Sequence, residues 1–530
     1  MGNNILKYVF AVIVIVLIVF GVFVMRKDNN TETEENIDQT SKVNTIQTDL
    51  RLAICNLDTM NPILSNNRNV QEITKIIYDP LVTLNEEYKL KYCLAEEIAK
   101  TDDLNYVIKL RKGVLWQDGT EFTANDVKFT IDTIKQGGIS TIYANNLQAV
   151  VELQPIDNYT LKLTLSYPVD FFEYNLTFPI LSQKYYEGED FATTSKNAAP
   201  IGTGMFKISS VDSNVIKLVK NDSYWDTSRK SMASDISINL YNSPGELYNA
   251  FKNGEIDIVD VKIENVEEYI GSMGYKKIEY KSRDYDFLAF NTQSNLFSNK
   301  AVRQAIAKAL DKNNIVASCL GSGYVASNFS LDMGNWLYTK DLTVQTNTEE
   351  AKQILINDGW EYKNNRWRKS IDGRTTDLSF SLSVNSSNNS RVAVAENIKS
   401  QLANIGIQVS IKQLNNEAYN SAISDKNFDV ILAGIECGYS PNLNTFFGDN
   451  NIANYSNDSL KEIMNVISNT SEENKLYENY NKLYDIYLDE VPYIGLYRNT
   501  DVVIYNQSLV GNIHANCFNL YCNIEKWYRQ

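Results

Sequence analysis

Between Asn105 and Ile134 the hydrophobic period changes from that of a strand to that of a helix, and this switch constrains the fold more than any bulk property of the chain. Tyr106, Ile108 and Leu110 alternate with Val107 and Lys109, which gives a strand one apolar face. Gly113 and Asp118-Gly119 then supply turns where positive φ is tolerated. Thr123-Ala-Asn-Asp126 has the form of a capping box, and Val127, Ile131 and Ile134 fall on one face of the helix it opens.

The same step recurs elsewhere. Leu50-Arg-Leu-Ala-Ile-Cys55 alternates as a strand, and so do Phe287, Ala289 and Asn291. Ser298 is placed to cap the helix that follows. There Val302, Ala305, Ile306, Ala309 and Leu310 form an apolar stripe, with Arg303 and Lys308 facing outward or pairing locally. Asn397-Ile-Lys-Ser-Gln-Leu402 reads as a helix that leads through Gly406 into the strand Ile407–Ile411. Strands alternating with helices indicate an α/β architecture. At 530 residues the chain exceeds one ordinary core, so roughly two to four domains are expected.

The amino-terminal region is of another kind. From Tyr8 to Met25 no side chain is charged, and the run is long enough to cross a bilayer core of ~30 Å at ~1.5 Å per residue. No Ala-x-Ala site follows it, and the first cysteine is Cys55, too far on for a lipoprotein. Residues 5–25 are therefore expected to form one uncleaved transmembrane helix, with a cleaved signal as the alternative. Residues 26–47 are polar, acidic and aperiodic, as in a flexible linker. Lys7 on one side of the run and Arg26 and Lys27 on the other leave the orientation open by charge.

A net charge of −15 argues against nucleic acid as a partner, because binding it requires clustered Lys and Arg. The six cysteines include no Cys-x-x-Cys pair; Cys517 and Cys522 could bridge if they lay on neighbouring turns, and the others read as buried free thiols. With His514 as the single histidine, no metal site and no cofactor are expected.

Three stretches carry a resemblance. They are Asn105–Lys128, Pro200-Ile-Gly-Thr-Gly-Met-Phe-Lys207, and Asp286-Phe-Leu-Ala-Phe-Asn291 followed by Asn299–Asp311. In order, spacing and chain length they resemble the large solute-binding proteins of oligopeptide, dipeptide and nickel importers, the bacterial extracellular solute-binding protein family 5, over nearly everything after residue 48. The Gly202-Thr-Gly204 turn alone could suggest a phosphate loop, but no Gly-Lys-Ser/Thr follows it.

The resemblance implies an α/β, periplasmic-binding-protein-like fold of class II, in the large cluster with an extra inserted domain. Two hinged lobes would be preceded here by the transmembrane helix. Lobe I would combine 48–80, 191–284 and 496–530, the inserted domain would be 81–190, and lobe II 285–495. Asn253-Gly-Glu-Ile-Asp257 resembles the family's turn after a helix in lobe I.

Four ligand-contact regions are implied in the same way: Asn66, Asn67 and Arg68; Tyr143; Gly434, Ile435, Glu436, Cys437, Gly438 and Tyr439; and Tyr497. The third departs from the family's Gly-Trp-x-x-Asp-Tyr, in which the aspartate meets a ligand ammonium. Ile435 replaces the tryptophan and Gly438 the aspartate, a loss worth roughly 3–5 kcal/mol unless compensated. Glu436 is the candidate substitute. Each residue also has a plainer role: Arg68 as a surface or lobe-bridging cation, Glu436 as a locally paired carboxylate, and the tyrosines as packing residues with a hydrogen-bonded tip.

The expected function is that of a membrane-anchored, extracytoplasmic substrate-binding protein of an ABC importer. It would be single-pass in the cell membrane with a monomeric ectodomain, and would bind peptides or peptide-like solutes for delivery to permease subunits. A ligand sensor or assembly partner of the same fold is the alternative. An enzyme is not expected, because the chain has one histidine and neither a Gly-x-Ser-x-Gly elbow nor a His-Glu-x-x-His motif.

Overall fold

Two strands are far longer than the rest, Tyr275–Phe290 and Tyr493–Asn506, and they hold the architecture together. They run antiparallel and pair in two stretches, 275–281 with 500–506 and 285–289 with 493–498, with a register break between Lys281 and Tyr285. Beyond that break each strand has new neighbours. The first stretch lies beside Ile258–Lys262, the second beside Val430–Glu436. The computed structural model describes residues 46–530 apart from 270–273 and 372. The expected anchor at 5–25 and all but the last two residues of the expected linker at 26–47 lie outside the described residues. Among the described residues no helix is long and apolar enough to cross a membrane.

One body is built on a four-stranded sheet in the order Asp49–Cys55, Asp235–Tyr241, Val215–Lys220, Phe206–Val211, the first pair parallel. A second four-stranded sheet, Ala95–Lys100, Asn105–Leu110, Thr160–Leu165 and Val150–Asp157, is antiparallel throughout. Tyr106, Ile108 and Leu110 are buried as their alternation predicts. The helix Ala124–Lys135 begins at the predicted capping box, where the Asp126 carboxylate accepts from the Thr123 backbone N–H at 2.8 Å. Both sheets feed one apolar core running from Leu50 to Trp527. The turn at Gly202 and Gly204 lies against the Ile77 carbonyl, and a Cβ on either residue would overlap it.

The other body is a layered α/β unit. Ser379–Asn385 is parallel to Gln408–Leu414 on one side and Val430–Glu436 on the other, with the helix Asn389–Ala403 as a crossover. Tyr285–Phe290 is almost continuously apolar because both of its faces are covered. Leu288 and Phe290 join a core with the helices Lys300–Ala309 and Asn389–Ala403, while Tyr285, Phe287 and Ala289 join an aromatic core under Asp458–Ser468 and Glu473–Glu490.

Two local expectations need correction. The cap of Lys300–Ala309 is Asn299, whose side chain accepts from the Ala301 N–H; Ser298 instead donates to the Asn295 carbonyl. Arg303 faces inward, only 2 % exposed, and bonds the Phe297 and Glu490 carbonyls and the Glu490 carboxylate at 3.0 Å. Its stem completes the helix stripe while its head satisfies the end of a helix distant in sequence. All six cysteines are free: the Cys517 thiol meets the Lys281 carbonyl and Cys522 that of Asn519.

The strand break is fixed by Arg498, which is fully buried. Its guanidinium bonds Asp332 at 2.8 Å, the Ser282 and Arg283 carbonyls at 3.3 Å each, and the carbonyls of Phe329 and Ser330, and it lies 4.6 Å from the Tyr285 ring centre. Lys281 meets the same Asp332 carboxylate at 3.3 Å. Replacing Arg498 with alanine removes the ion pair from buried Asp332 and leaves it Lys281, the Ser327 hydroxyl and the Asn328 N–H, and we expect a loss of about 3 kcal/mol in urea unfolding. An unchanged midpoint would show that the arginine does not carry the junction.

Candidate functional site

The segment Ser282-Arg283-Asp284 leaves the ladder with Tyr493–Asn506, although Asp284 stays paired with Glu436 on its other side, and its side chains border the space between the two bodies. There they line a cavity of about 550 Å³. From the first body come Asn66, Arg68, Gln71, Glu72 and Lys75, and from the second Glu436, Gly438 and Tyr439. Tyr143 and Tyr174 close it from the antiparallel-sheet side, and Asp501, Cys517 and Phe518 from the returning chain.

The helix Arg68–Thr74 starts where it does because Asn67 caps it. Asn67 Oδ1 accepts from the Asn69 N–H at 2.9 Å, while Nδ2 donates to the Cys55 and Asn56 carbonyls, both at 2.8 Å. Those bonds occupy the Asn67 side chain. Arg68 is thereby aimed at three strands at the junction. Its side chain lies 3.4 Å from Asp260 and 3.8 Å from Asp501, and donates to the Tyr280 hydroxyl at 2.9 Å. Burial alone would lower the Arg68 pKa, but Asp260, Tyr280, Asp501 and Glu72 outweigh it and raise it. At Asp260 burial is the larger effect, and it lifts the carboxyl to about 6 against the pull of Arg68, with Asp501 and Glu72 pushing the same way.

Glu436, the candidate ammonium partner, is ion-paired with Arg283. Arg283 in turn lies 4.5 Å from the centre of the Tyr439 ring, and the Tyr439 hydroxyl donates to the Cys517 carbonyl at 2.9 Å. Gly438 faces open space, where a Cβ would meet nothing nearer than the Ser440 nitrogen at 3.8 Å. The position is therefore vacant and unstrained. Lys75 pairs with Glu72 at 2.8 Å, so each cation lining the cavity has a carboxylate beside it. Asp284 makes no ion pair among the described residues.

A smaller cavity of about 290 Å³ adjoins it through Asp284 and Glu436, and Gly434, Ile435 and Tyr497 line it. Here Asp286 is held by Arg391 Nε at 2.5 Å and by the Tyr497 hydroxyl at 3.2 Å. Burial raises the Asp286 pKa even so. Gly434 is glycine because a Cβ would overlap the Arg391 guanidinium.

The structure thus brings Asn66, Arg68, Tyr143, Glu436, Gly438 and Tyr439 to the larger cavity, and Gly434, Ile435, Glu436 and Tyr497 to the smaller one. Asn67 lines neither. Cys437 turns into the aromatic core, where Arg498 approaches its sulfur at 3.7 Å. Sequence reasoning missed Arg283, Lys75, Asp284 and Arg391. For the first and third the available signal was Lys281-Ser-Arg-Asp284, a polar interruption directly before an apolar strand.

Cys517 is the one thiol in the larger cavity, and burial pushes it up to about 11, which leaves it protonated and unreactive near neutrality. No group of three or more His, Cys, Asp or Glu suited to a metal occurs among the described residues. What the walls offer is hydrogen bonding and paired charge around an enclosed space, the chemistry of holding a solute.

Two bodies joined by crossing strands, with a polar cavity at the crossing, define the class of extracytoplasmic solute-binding folds. The chain belongs to the bacterial extracellular solute-binding proteins, family 5, whose middle-region model matches residues 89–454. Members of this family are substrate-binding proteins, not enzymes. The chain is 26 % identical over 488 residues to the oligopeptide-binding protein AppA of Bacillus subtilis, covering 88 % of this chain and 89 % of that one. Its fold is similar to that of the murein tripeptide-binding protein MppA in an unliganded open form (TM-score 0.74, 19 % identity, 92 % of this chain and 99 % of the other). It is also similar to a nickel ABC transporter protein from Bacillus halodurans (TM-score 0.71, 21 % identity, 90 % and 98 %).

The Asp260 shift has a measurable sign. Its folded pKa of about 6 stands above the ordinary 3.8, so between those values the folded state keeps a proton that the unfolded chain has lost. The resulting stabilisation is complete below about pH 4 and gone above about pH 6. Asp260→Asn should remove it, changing the wild-type-minus-variant stability difference by up to about 3 kcal/mol across that window. Urea midpoints measured against pH check this; parallel curves for the two proteins contradict it.

Proposed function

We propose that this protein is a membrane-anchored, extracytoplasmic receptor of an ABC importer, and that it binds a peptide or peptide-like solute and hands it to permease subunits. The observation that carries the reading is the cavity of about 550 Å³ at the strand break, walled by both bodies and lined by paired charges and hydrogen-bonding groups. That size lies within the range of about 300–1,000 Å³ usual for small-molecule sites. The relatives AppA and MppA, peptide-binding proteins both, support a peptide class.

In this reading the units 48–80 with 191–284 and 496–530, and 285–495, are lobes that close on the ligand by bending at the two crossing strands, with 81–190 as an inserted domain. Closure is a population shift: a solute touching both lobes favours the shut form by its extra contacts there. Residues 5–25 hold the monomeric ectodomain at the outer face of the cell membrane, and 26–47 give it reach. No covalent step is involved.

The Arg283–Glu436 pair favours one further reading, a ligand sensor that serves no permease, because it engages Glu436, the candidate substitute for an acid at Gly438. Co-purification from membranes separates the two: permease subunits support transport, and a signalling partner without them supports the sensor.

The binding reading is tested by thermal unfolding of the purified protein with peptide pools. Ligand at about 100 times its Kd should add about 2.7 kcal/mol to stability and raise the Tm. A Tm unmoved by every pool overturns the reading.

A further inference from the structure

The carboxylates of the smaller cavity outnumber the cations that meet them. Asp284, Asp286 and Glu436 all line it. Glu436 is paired with Arg283 and Asp286 with Arg391, while Asp284 has no ion pair among the described residues. The excess is built into the strands. Asp284 lies directly opposite Glu436 in the ladder between Tyr275–Phe290 and Val430–Glu436, and like charges at opposed positions destabilise a strand pair. Asp286 stands two residues further along the strand, so its side chain leaves on the same face as that of Asp284. Burial is the largest cause of the raised Asp286 pKa, and the Asp284 charge adds to it.

Asp286 also leaves an acceptor unused. The residue is 7 % exposed, and both of its side-chain bonds, from Arg391 Nε and from the Tyr497 hydroxyl, end on Oδ1. Oδ2 accepts none and is not sealed into the core, so it opens onto the cavity. Buried carboxylate oxygens are ordinarily met by a donor, and here the protein supplies none. Tyr324 and Tyr497 complete the wall, edge to face with their ring centres 5.8 Å apart, and aromatic surface attracts cations.

We propose that the smaller cavity is a binding site for an organic cation, a guanidinium or primary ammonium group, which Asp284 neutralises and to which Asp286 Oδ2 offers a further acceptor. The inference stands on the walls of this cavity, and it holds whether the protein serves a permease or a sensor. Guanidinium fits the donor count best, because its planar fork presents donors to two carboxylates at once. At about 290 Å³ the cavity falls just short of the range of about 300–1,000 Å³ usual for whole ligands, so it suits a group the size of one side chain or a small free amine. Among the described residues these acids do not converge as a metal-ligand group does, whereas donors on a carbon frame reach them separately.

The test uses two matched pairs, arginine against citrulline and Ala-Arg-Ala against Ala-citrulline-Ala, titrated calorimetrically into the full-length protein. Citrulline keeps the shape of arginine and lacks its charge. In at least one pair the charged member should bind at least about tenfold more tightly, equivalent to about 1.4 kcal/mol. A preference shown by the free amino acids assigns a small free cation to the site; one confined to the peptides assigns a side chain of a larger solute. Asp284→Asn should bring the ratio to about one, and Asp284→Glu, which keeps the charge, should retain it. Equal affinity within both pairs, a preference that survives Asp284→Asn, or no binding by any of the four overturns the cation site.

Discussion

A fully buried guanidinium holds the centre of this molecule. Arg498 sits on one crossing strand and bonds carbonyls of the other where the ladder fails, while Asp332 supplies the countercharge. A charge removed from water is tolerated only when its hydrogen-bonding capacity is filled, and here three elements fill it. The break therefore has a defined shape. Because it does, Arg283 and Asp284 project into the cavity and Tyr285 returns to the core in register. The position of the cavity is set by a strand irregularity, and the irregularity by one arginine.

The cavity walls follow a consistent electrostatic rule. Arg68, Lys75 and Arg283 each stand beside a carboxylate, and Asp284 adds a carboxylate that has no ion pair among the described residues. Such a surface is dense in hydrogen-bond donors and acceptors. It favours molecules that carry donors and acceptors along their length, and specificity falls to the geometry of individual pairs. Gly438 leaves open space beside this arrangement, in which Arg283 is already paired with Glu436.

Much of the local structure was legible in the sequence, because it depends on near neighbours. The strand Asn105–Leu110, the cap before Ala124–Lys135 and the stripe from Val302 to Ala309 are all set by spacing and by a few polar residues. Ser298 and Asn299 were indistinguishable as caps, since both offer a side-chain acceptor one residue apart. The partners of charged residues were not legible at all. Arg303 reaches Glu490, Arg68 reaches Asp260 and Asp501, and Glu436 reaches Arg283, in each case across a large separation in sequence. A charge reads as solvent-facing until the fold brings its counterion near. For the same reason Arg391 went unnoticed beside Gly434, and Cys437 was grouped with its neighbours although its side chain faces the opposite way.

Gly434 and Arg391 also bear on how such a chain can diverge. Any side chain at 434 would displace the guanidinium that holds Asp286, so the missing methyl and the distant cation form a single lock. A mutational path that enlarges position 434 must first, or at once, shrink or redirect Arg391. In descendants of this sequence the two positions should therefore change as a couple.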